Sequence, residues 1–327
     1  MHLPDVLKIS GLEKGLKSMN PKIIDLSSIK VKLTNLEKIY WPEEGYTKKD
    51  LIAYYKNISS FILPYIKDRP QSLNRHPDGI KGESFFQKDI DPPYPPYINV
   101  LDHYSKSTGK IINYLVCKDL NSLLYMANLG CIEINPWASR TSNLNKPDFL
   151  ILDLDPEDIG FDKVVEAAIV TKKILDKIKI KGFCKTSGGR GLHIYIPLKA
   201  KYSYNKALNF SKVLALIINQ SLPDITSLVR SPKKRQGRVY IDCYQNLIGH
   251  TIAAPYCLRP RAGAPVSTPL LWKELNPKLN PLNFTIKTIF KRLDKKGDLW
   301  KGVLGPGIDI KTCIDRIYES YPVFSNK

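Results

Sequence analysis

Residues 149–155 read FLILDLD, an apolar run that ends in two carboxylates one residue apart. In an extended strand, positions i and i+2 share a face, so Asp153 and Asp155 project together while Leu154 packs behind them. Carboxylates held that close repel, which costs energy unless cations neutralise them. Hard divalent ions with oxygen ligands suit the pair, Mg2+ or Mn2+ rather than Zn2+. A competing reading needs no metal: Asp155 ahead of Pro156 could start a turn at a helix N-terminus. A third carboxylate at the end of another strand favours the metal. Asp242 in RVYIDCY stands in that place, although alone it reads equally well as a strand-edge acid.

Between these acids lies TSGGRGLH (186–193). Successive backbone amides of a glycine-rich turn can form an anion-binding nest, to which Arg190 and His193 add charge and hydrogen bonding. The pattern is neither GxxxxGK(S/T) nor GxGxxG, and many Ser-Gly-Gly turns are plain hairpins. Further on, segment 228–261 holds Arg230, Lys233, Lys234, Arg235, Arg238, Arg259 and Arg261 against one acid, Asp242. Cations around a lone carboxylate suit a triphosphate with its metals, because arginine meets phosphate oxygens bidentately. A solvated charge run is the plainer account of Lys233 and Lys234, but it suits Arg259 and Arg261 less, set as they are in APYCLRPRAGAP. Phe85 and Phe86 in GESFFQKD sit among charges, where rings can stack on unpaired bases. One ring in the core with its neighbour beside it is an equally good reading.

These residues need elements to hold them. Thr47 is placed to cap a helix, with Asp50 three residues on and Leu51, Ile52, Tyr55, Ile58 and Ile62 on its inner face. The proline-punctuated stretch 89–100 reads as loop. Residues 149–155 predict a buried strand and 161–180 an amphipathic helix that stops at Gly182. FCKTS and LHIYIPL predict two strands around the glycine turn, followed by a helix over 204–220 and a half-buried strand over 238–244. The expected fold is α/β (α+β), mixed β-sheets flanked by helices, in two packed lobes. The expected division is an N-terminal extension over 1–30, the main domain over 31–305 and a closing element over 306–327.

The whole chain has 327 residues, with 43% hydrophobic and 25% charged, ordinary for a protein with a buried core. Its charge balance is not ordinary: 50 Lys+Arg against 31 Asp+Glu leave +19. Such a surplus points to a polyanionic partner, nucleic acid or an acidic membrane surface, unless it reflects a lysine-rich proteome at large. The first residues lack a secretory pattern, and no apolar run is long enough to span a bilayer. Six scattered cysteines without a CxxC pair fit buried thiols in a reducing cytoplasm rather than a zinc site.

The blocks LTNLEKIYWPEEGYTKKD, ESFFQKD, GCIEINPW, FLILDLDP, TSGGRGLHIYIPL, RVYIDCYQN and TIAAPYCLRPR, in this order, closely resemble the polymerase domain of bacterial DNA ligase D. That family is the end-joining branch of the archaeo-eukaryotic primase superfamily, and the resemblance covers about residues 30–300. It implies a primase-type catalytic core and a template-dependent nucleotidyltransferase. The implied enzyme prefers ribonucleotides and usually Mn2+ (or Mg2+), with two ions per site, and fills gaps and aligns broken ends in non-homologous end joining. By position, Asp153, Asp155 and Asp242 become the metal triad. Ser187, Arg190, His193, Arg235, Arg238, Gln245, Arg259 and Arg261 surround the nucleotide triphosphate. Asn35, Lys38 and Lys48 would hold a downstream 5′-phosphate, and Phe85 with Phe86 would stack on the template. Asn135 stands where some relatives place a nucleotide-contacting histidine, which puts nucleotide affinity or sugar preference in question. No KxDG ligase motif is present, so the chain is either a free-standing polymerase that works with a separate DNA ligase or an excised domain; the implied partners are a DNA ligase and an end-binding Ku-type protein, besides DNA itself. A primase that starts chains de novo, an end-bridging module with vestigial catalysis and a two-metal nuclease are the competing readings.

Overall fold

The computed structural model describes residues 30–105 and 108–322; apart from Lys30, the extension expected over 1–30 lies outside the described residues. The described chain is a mixed α/β structure built on three sheets. It opens with a two-stranded hairpin, β1 (Ile39–Trp41) and β2 (Tyr46–Thr47), which runs directly into α1 (Lys48–Ile66). The Thr47 side chain accepts from the Asp50 N–H and Asp50 accepts from the Thr47 N–H, the reciprocal cap expected from the sequence.

A five-stranded sheet follows. It comprises β3 (Arg69–Arg75), β4 (Phe85–Gln87), β5 (Asn99–Ser105), β6 (Lys110–Cys117) and, after α2 (Leu120–Asn128), β7 (Cys131–Pro136). β3 is its hub, pairing with β4, β6 and β7. The stretch 89–100 is therefore loop only as far as β5, which begins at Asn99.

The six-stranded sheet carries the chemistry. Its members are β8 (Phe149–Pro156), β9 (Phe183–Thr186), β10 (Leu192–Pro197), β11 (Thr226–Ser227), β12 (Val239–Asp242) and β13 (Pro269–Leu270), in the order β11-β12-β8-β10-β9-β13. Two helices, α3 (Phe161–Lys177) and α4 (Tyr204–Ser221), cover one face. Leu150, Leu152 and Leu154 of β8, Leu192, Ile194 and Ile196 of β10, and Val239 and Ile241 of β12 pack there against Val164, Ala168, Leu175, Phe210, Leu214 and Ile218. Period-two alternation then assigns the intervening residues, Asp153, Asp155, His193, Tyr240 and Asp242, to the opposite face. The last helices are α5 (Ile289–Lys296) and α6 (Ile310–Ser320), and α6 adds Ile310, Cys313 and Ile317 to this core.

Two boundaries differ from expectation. α3 ends at Lys177, short of Gly182, because Lys179 itself takes the left-handed conformation (φ 58°) and the Ile180 N–H turns back to the Leu175 carbonyl. β12 ends at Asp242, where a 3-10 turn (Tyr244–Asn246) begins. There Asn246 takes over the pairing: its amide accepts from Ile151 N at 2.8 Å and donates to Ile151 O at 2.7 Å. All six cysteines are buried and unpaired, as their scatter suggested. Among the described residues no helix is long and apolar enough to cross a membrane.

Candidate active site

Strand register brings the acids together. Asp153 of β8 lies directly across from Asp242 on one side and His193 on the other. Asp155 faces Tyr240. Burial, followed by the charges of Asp155 and Asp242, pushes the Asp153 carboxyl up to about 8. Burial also raises Asp155, against the pull of Arg235 and Arg190. Hard oxygen donors that crowd like charge in this way are chemically suited to divalent cations. The fit is one of donor type and placement, not of closed coordination. As the side chains stand, no group of three or more His, Cys, Asp or Glu among the described residues is gathered for an ion. Asp242 instead accepts from Tyr244 N at 2.7 Å and from Gln245 Nε2 at 3.3 Å. Asp155 lies 3.6 Å from Arg235 Nη1.

The glycine turn forms the next wall. Ser187 Oγ accepts from Gly189 N (3.1 Å) and Gly191 N (3.0 Å), which commits two of the turn's amides internally. A hydroxyl has two acceptor sites and one proton, so Ser187 keeps its O–H for another partner. What the turn leaves open toward the cleft is therefore the Ser187 hydroxyl and the nearby guanidiniums rather than the full backbone nest suggested by its glycines. Gly191 is required by close approach, since a Cβ there would stand 2.6 Å from the Leu154 carbonyl oxygen.

Around the turn stand the arginines. Arg259 donates to the Ser187 carbonyl and pairs with Glu133 at 2.9 Å. Arg261 is exposed, with its carbonyl accepting from Trp41 Nε1 at 2.9 Å, so β1 steadies this loop. Arg190 is exposed on the turn itself. Arg235 is buried, stacked over Tyr240 at 4.0 Å and paired with Glu157 at 3.3 Å. A cleft of about 270 Å³ unites Phe86, Glu133, Asn135, Asp153, Asp155, Ser187, Arg190, His193, Arg259 and Arg261. Asp242, Gln245, Arg235 and Arg238 are not in its lining. Asn135 is buried, its amide donating to the Glu133 carbonyl at 3.3 Å.

The remaining residues form two outlying groups. Asn35 (φ 54°), Lys38 and Lys48 meet beside the hairpin, where the Lys38 N–H donates to the Asn35 carbonyl and the Lys48 N–H to the Lys38 carbonyl. Lys38 pairs with Asp78, and Lys48 Nζ reaches Thr34 Oγ1 at 3.3 Å. Phe85 and Phe86 on β4 are 46% and 61% exposed, so neither ring enters the core. Sequence reasoning passed over Arg75, which lies under Phe85 at 5.1 Å, and Lys185, hydrogen-bonded to His193 at 2.8 Å. Both owe their place to strand pairing, Arg75 opposite Phe85 and Lys185 opposite His193.

Comparison with known proteins gives a consistent result. The family described as LigD, primase-polymerase domain, matches residues 47–300. The bifunctional non-homologous end joining protein LigD of Bacillus subtilis is 33% identical over 271 residues, covering 82% of this chain and 43% of that protein. The multifunctional non-homologous end joining protein LigD of Mycolicibacterium smegmatis is 29% identical over 276 residues, covering 83% and 35%. The chain thus spans less than half the length of these relatives. Among solved structures, the polymerase domain from Mycobacterium tuberculosis ligase D in complex with DNA matches with a TM-score of 0.79 and 28% identity, covering 85% of this chain and 99% of that one.

Proposed function

The chain belongs to the LigD primase-polymerase family, and on that footing we propose that it is a template-dependent nucleotidyltransferase that fills gaps and extends broken DNA ends during non-homologous end joining. One observation carries the reading: strand register sets Asp153 and Asp155 beside Asp242, and the cleft holding the first two is walled by Ser187, Arg190, Arg259 and Arg261. A binding module gains nothing from clustering acids where a polyanion must lie.

In this reading the primer 3′-oxygen bonds to the α-phosphorus of a nucleoside triphosphate, and the bond to pyrophosphate breaks. Asp153, Asp155 and Asp242 would hold two Mn2+ or Mg2+ ions, which when bound supply Lewis acidity at the reacting oxygens. Arg190, Arg259 and Arg261 neutralise the triphosphate, and the Ser187 O–H donates to it. Arg235 and Gln245 orient Asp155 and Asp242 from outside the cleft. Phe86 offers an exposed ring for the templating base. Preference for ribonucleotides, a DNA ligase activity and a Ku-type end-binding protein complete the proposal, supported by the family resemblance alone.

The test is extension of a gapped, 5′-phosphorylated duplex, with ribo- and deoxynucleotides compared in Mn2+ and Mg2+. Asp153→Ala and Asp155→Ala should each lose at least about a thousandfold in rate. Retained extension in either variant would overturn the assignment, and product formed without any primer would identify a chain-starting primase instead.

A further inference from the structure

A second cavity, of about 390 Å³, adjoins the cleft and has no part in the chemistry above. Gly189, Arg190 and Arg261 line both. Pro156, the residue after Asp155, also borders the second cavity. Its remaining lining is of another kind: Ile159, Phe161, Leu279, Pro281 and Leu282, with Asn280 the polar member. Ile159, Phe161 and Leu279 pack partly on the core beside α3 and α4, while Leu282 stays 56% exposed. An apolar hollow bounded by guanidiniums suits a flat aromatic ring. The ring leaves water against the apolar side chains, and its face attracts the cations. Asn280 Oδ1 accepts from Leu282 N at 2.9 Å, and its NH2 meets no acceptor among the described residues, so it can serve a ring nitrogen.

Connectivity says what such a ring is attached to. Bond formation sets the α-phosphorus of a nucleotide at Asp153 and Asp155, so the rest of its phosphate chain leads toward Arg190 and Arg261. A Cβ on Gly189 would stand 3.4 Å from Arg261 Cζ and Nε, so the guanidinium itself lies at the partition between the two cavities. A group bonded to the last phosphate is then placed to pass the partition and enter the hollow. We propose that the second cavity is a subsite for the distal nucleoside of a dinucleoside polyphosphate, which the enzyme uses as a nucleotide donor. The inference rests on the nucleotidyltransferase reading. In the step, the primer 3′-oxygen gives its proton to solvent and bonds to the phosphorus nearest one nucleoside. The bond from that phosphorus to the bridging oxygen breaks, and the remainder departs as an intact nucleotide. With diadenosine tetraphosphate, one AMP is added and one ATP leaves, so no further co-reactant is needed.

Isothermal titration compares diadenosine tetraphosphate with ATP and with adenosine 5′-tetraphosphate, which has the fourth phosphate but no second base. The first should bind about tenfold tighter than either of the others. Equal affinity for the two tetraphosphates would overturn the proposal, since charge alone would then explain the binding. Leu282→Asn is close in size, uncharged and on the surface, so ATP affinity should stay as it was. The advantage of the second base should fall to about threefold or less in this variant. An advantage that survives Leu282→Asn undiminished would refute the subsite. The activity arm is addition of AMP opposite thymine in a gapped duplex, with one ATP released for each AMP added from diadenosine tetraphosphate. Addition from ATP but none from diadenosine tetraphosphate would end the donor role. If neither compound is used, the nucleotidyltransferase reading falls, while the titrations still decide whether the hollow holds a base.

Discussion

Lys48 is 4% exposed, yet its ammonium meets no carboxylate among the described residues, reaching only the Thr34 hydroxyl. Burial pushes it below the ordinary lysine range, and the charges of Lys38 and Arg75 push further. Three cations gathered around one partly buried point are chemically suited to an anion through their side chains. The first turn of α1 does not add to this, because its Lys48, Lys49 and Asp50 N–H groups already donate to Lys38 O, Leu36 O and Thr47 Oγ1. Family resemblance suggests a downstream 5′-phosphate, and the geometry adds Arg75 to the residues that would hold it. Lys48→Met should therefore weaken binding of a gapped duplex about tenfold when the downstream strand carries a 5′-phosphate, and scarcely at all when it carries a 5′-hydroxyl. Equal losses on both substrates, measured by fluorescence anisotropy, would move the phosphate site elsewhere. The three aspartates were legible because each stands near the end of an apolar strand and period two fixes its face. Lys185, Arg75 and Glu133 were not, because pairings between distant segments give them their partners: β9 with β10, β3 with β4 and β7.

Elements were legible where their signals are local. The Thr47–Asp50 capping box, the apolar stripe of α1 and the alternation of β12 are all written within one turn or one strand. The end of α3 was misplaced because a buried Ile180 stabilises a left-handed lysine three residues before the glycine that looked like the stop. Nothing local announced how α5 is held down. Glu274, in the 3-10 turn Trp272–Glu274, accepts from Arg292 at 2.6 Å and from Lys296 at 2.6 Å, both on α5, and from Leu271 N at 2.8 Å. Burial pushes the Glu274 carboxyl up, but these donors together outweigh it and hold it down at about 2. A carboxylate depressed below its unfolded value stabilises the fold above that value and ceases to do so as pH falls through the folded one. Wild type should thus exceed Glu274→Gln by about 1–3 kcal/mol above pH 5. That margin should shrink between about pH 4.5 and pH 2. Urea titrations across this window would show it, and a margin independent of pH would mean that the clamp acts through packing rather than charge.

At the scale of the whole molecule, the surplus of +19 can be a coat of lysines or a track. Ion pairing in the structure separates the two. Arg235 and Arg259 are tied to Asp155, Glu157 and Glu133, and such cations serve the architecture of the site as much as a ligand. Arg190, Arg238 and Arg261 meet no carboxylate among the described residues. Lys233 and Lys234 are exposed on a 3-10 turn one residue before Arg235. Cations that no carboxylate holds are available to phosphates, and each phosphate neutralised releases counterions. With about six such contacts, affinity for the gapped duplex should fall with salt at a log–log slope near −5. Lys233→Gln with Lys234→Gln should bring the slope about two units closer to zero, while the rate of nucleotide addition at saturating DNA stays as it was. A slope unaffected by the double replacement would return those two lysines to the coat. A wild-type slope shallower than about −2 would return most of the surplus with them.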